Sequence, residues 1–159
     1  MKNRLGVAIF VLLLAAGCGE MQPPKQAHAE PGALLSEAFP YVIAFEQGAT
    51  QFQPGDLITI TEVRGTSSDM SGGIYRISGT YTLASRDSAT LAAFVSASSA
   101  ADGRSPVNSA QTLNVTRGSG PFTLMLPISI KGYPHVSFYA DSNAIGGVYF
   151  GTGDSVLRR

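Results

Sequence analysis

The polar side chains best spaced for chemistry lie in one stretch, Gly132-Tyr133-Pro134-His135-Val136-Ser137-Phe138-Tyr139-Ala140-Asp141. On a strand, alternate residues share a face, so Tyr133, His135, Ser137 and Tyr139 would point one way with Asp141 at the end. Ser, His and Asp are the residue types of a hydrolase triad, in which His takes the serine proton and Asp orients the imidazole. The spacing speaks against a triad. Side chains two apart on a strand stand roughly 7 Å apart and parallel, whereas His must bridge Ser and Asp. Nor is there a Gly-x-Ser-x-Gly elbow to expose a nucleophile. The stretch reads as a solvated strand face, with His135 the general base of any hydrolytic alternative. Tyr133, His135 and Tyr139 form the candidate ligand-binding cluster, because binding sites favour aromatic rings over a few polar groups.

Metal chemistry has less to offer. Asp141-Ser142-Asn143-Ala144-Ile145-Gly146 opens like a calcium loop, but Ile145 stands fifth and Thr152 twelfth, so the bidentate carboxylate is missing. Asp, Asn and Gly are also what a turn requires. A site built from separate loops would draw on Asp69, Asp102, Asp141 or Asp154, and sequence does not bring any two of them together. Two His and one Cys do not make a typical zinc site, so no metal or cofactor is expected. Gly118-Ser119-Gly120 and Gly146-Gly147 precede no helix with a phosphate-binding Lys, and read as hairpin glycines. Tyr75, Tyr81, Tyr133, Tyr139 and Tyr149 offer rings to a sugar, although the chain has no Trp.

Strands must carry these residues. Only 14% of the 159 residues are charged and 44% are hydrophobic, which excludes disorder over most of the length. Eleven basic side chains balance eleven acidic ones, leaving no field to hold nucleic acid. Apolar residues alternate at Phe39, Tyr41, Ile43 and Phe45, at Ile58 and Ile60, and from Tyr75 to Leu83. They do so again at Leu113 and Val115, from Phe122 to Ile130, at Val136 and Phe138, and at Val148 and Phe150. Pro127 cannot donate to a ladder, so its strand should lie at an edge or carry a bulge. The Ala- and Ser-rich segment 89–101 would also suit a helix, and is assigned as strand through about Val95 because its neighbours are strands. Polar, glycine-rich turns between short alternating runs predict an all-β fold. The expected form is an antiparallel β-sandwich, jelly-roll or immunoglobulin-like, of about seven or eight strands, over residues 34–159.

The first residues differ in kind. Lys2 and Arg4 precede an uncharged run from Leu5 to Ala16, too short for the roughly 20 apolar residues of a spanning helix but matching a signal-peptide core of about 7–15. Small residues then lead to the sole cysteine, Leu14-Ala15-Ala16-Gly17-Cys18. This resembles the lipobox of bacterial lipoprotein precursors, with Ala15 where Leu is commonest in that family. The resemblance covers about the first 20 residues. It implies a signal peptide over 1–17, and diacylglycerol on the Cys18 thiol with acylation of its new amino group. Gly19, where an Asp would retain such a protein at the inner membrane, implies outer-membrane sorting if the cell has two membranes. Residues 18–33 then form a Pro-rich flexible linker holding His28, with too little apolar surface to offset its ordering entropy. Without Lys2 and Arg4, nine basic side chains face eleven acidic ones.

The expectation is a lipid-anchored envelope protein, attached through acylated Cys18. Its β domain is a non-catalytic binding or structural module, with envelope polysaccharide or protein as partner. The rival is an envelope hydrolase using His135 as general base.

Overall fold

A computed structural model describes residues 38–97 and 109–159. Seven strands run β1 (Tyr41–Val42), β2 (Glu46–Gln51), β3 (Leu57–Gly65), β4 (Gly73–Ala97), β5 (Thr112–Ile128), β6 (Gly132–Ala140) and β7 (Asn143–Gly151). Every pairing is antiparallel, and the fold is all-β, as the alternation predicts. The strands join in one sheet of order β1-β3-β4-β6-β7-β2, with β5 on the other edge of β4. The leader, Cys18 and the linker lie outside the described residues, as do residues 98–101 of the Ala- and Ser-rich segment.

The long strand β4 organises everything else. Its first part pairs with β3 along one edge and its last part with β6 along that same edge, while β5 follows the other edge. Between them the ladder jumps from Leu83↔Gly118 to Ser88↔Thr116, so four residues of β4 (84–87) oppose Arg117 alone. Such an excess bends the longer strand and sharpens its twist. Odd-numbered residues keep the inner side through the bend: Tyr75, Ile77 and Leu83 before it, and Ala89, Leu91, Ala93 and Val95 after it, are all buried. Both arms feed one core, and the rings of Tyr81 and Phe138 meet edge-on at 6.4 Å across the curl.

Asp56 holds the bend open. Its carboxylate accepts the Ala84 N–H (2.8 Å) and the Ser85 N–H (2.9 Å), donors that strand pairing would otherwise have used, and also the Ser85 hydroxyl (2.6 Å). Burial pushes this carboxyl up, but the Ser85 and Ala84 bonds and the positive charge of Arg117 prevail and lower its pKa. Gly118, at φ 128°, supplies the matching kink on β5.

Several local expectations change. Segment 89–97 is strand, continuous with the strand at 75–83. Gly118-Ser119-Gly120 lies within β5 and serves the bend, not a hairpin. Gly146 and Gly147 lie within β7, where a Cβ at 147 would strike the Ser137 hydroxyl and one at 146 the Gln51 carbonyl. The run Phe39 to Phe45 is not one strand: the strand covers Tyr41–Val42 only, Ile43 adds one N–H bond to the Val63 carbonyl and is buried in the core, and Tyr41 stays exposed. Pro127 falls, as predicted, on a strand that among the described residues pairs on one side only.

Candidate functional site

Strand β6 lies between β4 and β7, so its outward residues have neighbours on both sides. Val136 and Phe138 enter the core, fully buried, which sends His135, Ser137 and Tyr139 to the opposite face, as the alternation predicts. Register then sets three rows across the sheet: Phe94–His135–Tyr149, Ala92–Ser137–Gly147 and Thr90–Tyr139–Ala144. The middle row is small. His135 and Tyr139 therefore reach toward each other over Ser137, and the imidazole Nε2 meets the Tyr139 hydroxyl at 3.0 Å. Ser137 is left 6% exposed beneath them. The simple spacing argument, which kept these side chains parallel, missed this convergence across a small residue.

Three rings enclose the imidazole. Tyr149 lies 5.1 Å and Phe94 6.4 Å from its centroid, and Phe94 meets the Tyr139 ring edge-on at 5.6 Å. The Nδ1 atom lies 3.4 Å from the Tyr133 carbonyl and 3.5 Å from the Ser96 hydroxyl, which itself lies 3.4 Å from the Tyr149 hydroxyl. A carbonyl can only accept, so we assign the imidazole proton to Nδ1, and Nε2 accepts from Tyr139. His135 is 7% exposed, and burial lowers its pKa, opposed in part by the Tyr133 carbonyl. Burial, and then the neighbouring Tyr149, raise that of Tyr139, against the Ser137 hydroxyl. Both groups are held in their neutral forms at pH 7.

Of the candidate binding cluster, His135 and Tyr139 come together. Tyr133 contributes its carbonyl to the His135 cluster and also lines a different cleft beside Met70, Ile128 and Ile130. Phe94 and Ser96 joined the cluster unforeseen, because their place beside β6 depends on register. The triad does not assemble: the Asp141 side chain is 94% exposed and pairs with Arg86 at 3.9 Å. Asp141 and Ser142, at φ 50° and 64°, form the two-residue hairpin turn between β6 and β7. Asp69 is occupied within its own loop by the Ser71 hydroxyl (2.7 Å), Asp154 lies in the 3-10 turn Gly153–Ser155, and Asp102 falls outside the described residues. Among the described residues no three His, Cys, Asp or Glu side chains group to hold a metal ion.

Chemically, the cluster can hold a ring in place better than it can move a proton. A general base needs a free lone pair within reach of substrate. Here Nε2 is taken by Tyr139, Nδ1 presents its proton to the Tyr133 carbonyl, and His135 lines none of three clefts of about 500–790 Å³. Tyr139 and Tyr149, in contrast, each line one of two clefts flanking the cluster. Compared with known proteins, the chain matches no family model, no curated protein and no solved structure.

Proposed function

We propose that this chain is a lipid-anchored protein of a bacterial envelope, and that its β domain binds an envelope component without altering it chemically. The anchor rests on the leader and the Leu14-Ala15-Ala16-Gly17-Cys18 motif. One acyl chain holds a protein only marginally, so the diacylglyceryl and amide-linked chains implied by that motif would make the attachment stable. The observation that carries the binding reading is the engaged His135: its basic nitrogen is spent on positioning Tyr139, and among the described residues no carboxylate bonds to it.

Two measurements test this. Cys18→Ala should abolish incorporation of labelled palmitate; equal incorporation in wild type and variant contradicts the anchor. The full-length chain, incubated with isolated peptidoglycan sacculi, should co-sediment with them and release no soluble fragments. Fragment release that disappears in His135→Gln would support the hydrolase instead.

A further inference from the structure

A cleft of about 790 Å³ opens where β4 and β5 bend. Its size falls within the range of about 300–1,000 Å³ typical of small-ligand sites. Ala89 and Val115 turn their side chains into the core, which leaves Ser88, Thr90, Asn114 and Thr116 as an outward floor of hydroxyls and one carboxamide. Thr90 donates to Asn114 Oδ1 at 3.2 Å, fixing the carboxamide so that its N–H groups stay available. Tyr139 forms one wall. Its hydroxyl is tied back to His135 and its ring rests on Phe94, so the wall is rigid before any ligand arrives.

The rim sets the ligand's charge. Arg86 pairs with Asp141 at 3.9 Å and Arg117 with Asp87 at 3.1 Å, so two cations cancel two anions. All four side chains are at least 45% exposed, and exposed pairs hold each other weakly. Arg86 and Asp141 can therefore exchange partners for ligand hydroxyls at little cost, while Arg117 is held more firmly by Asp87 and the Ala84 carbonyl together. With two cations and two anions the rim has no net charge to select a charged ligand, and a peptide finds no apolar side-chain pocket in this floor. A polyol, whose hydroxyls both donate and accept and whose C–H face packs on a ring, matches every lining group.

We infer that this cleft binds a neutral oligosaccharide, with Tyr139 as its aromatic wall and His135 as the positioning residue behind it. The inference rests on the binding reading above and gives it a site and a ligand class.

The test titrates maltotetraose, cellotetraose and chitotetraose into the full-length chain in a sugar-free detergent, followed by saturation-transfer NMR. At least one should bind with a Kd of about 1 mM or tighter. Ser88→Trp places a bulky side chain in the cleft from an exposed position and should weaken that binding at least tenfold, roughly 1.4 kcal/mol. Tyr139→Phe keeps the ring but frees it from His135, and His135→Gln restores a hydrogen-bonding group. Tyr139→Phe should weaken binding about threefold and His135→Gln less. Failure of all three sugars to bind at about 10 mM, or binding untouched by Ser88→Trp, overturns the proposal. If sacculi still co-sediment in that case, the cleft falls and the binding reading stands; if they do not, both fall.

Discussion

At the residue scale, two buried polar side chains divide the work. Asp56 replaces backbone pairing with three hydrogen bonds to one carboxylate. The bonds are part-buried and water can reach the exposed Ala84 and Ser85 donors, so Asp56→Ala should cost about 1–2 kcal/mol, read as a lower urea midpoint at unchanged slope. Its folded pKa lies below the ordinary 3.8, so its contribution is present above that value and fades as pH falls through the folded one. His135 behaves differently, since its folded pKa lies below 6.5. Below pH 6.5 the unfolded chain takes up a proton that the folded chain refuses, so the wild type loses stability on acidification. His135→Gln has no such loss, and the stability gap between the two proteins should narrow from about pH 7.5 to about pH 5. A gap that widens on acidification would mean that the imidazole is stabilised as a cation. Neither role was legible beforehand. Asp56 reads as part of a Pro-Gly-Asp turn signal, and nothing in the chain says that its carboxylate reaches residues 28 and 29 positions away.

At the element scale, the alternation fixed faces but not lengths. It separated Val136 and Phe138 from His135, Ser137 and Tyr139 correctly, because a period of two needs only the strand itself. It divided β4 and β5 into two strands each, because the apolar alternation stops at Leu83 and Gly118 to Gly120 has the composition of a turn. In the structure residues 84–87 lie opposite Arg117 while Gly118 to Gly120 pair with Leu83 to Tyr81, and the two strands bend together without reversing. Composition reports a departure from regular pairing, and a bulge is as good a departure as a turn. At Gly118 a Cβ would meet nothing within 4 Å, so the cost of a side chain there comes from φ alone. Gly118→Ala should therefore destabilise by about 1–2 kcal/mol, measured by thermal melting. A neutral result would show that the bend does not depend on that backbone conformation.

At the scale of the whole molecule, both arms share one core, so they should unfold together. Leu91→Ala, in the arm carrying His135, should lower the stability of both arms by about 2–5 kcal/mol. Hydrogen exchange of β3 amides would show it: unchanged protection there would mean that the arms are independent. The sequence made the all-β class legible through periodicity, and the proposed leader rests on charge, length and small residues in order. It did not reveal the cleft at the bend, whose lining from β4, β5 and the β6–β7 turn is assembled by register alone. Localisation and partners rest on the anchor, and the mass of the intact protein, extracted from its native membrane in detergent, tests that most directly. The account predicts a chain beginning at Cys18 and heavier than residues 18–159 by a diacylglyceryl group and one further acyl chain. A mass matching all 159 residues, or a free Cys18 thiol, would contradict it.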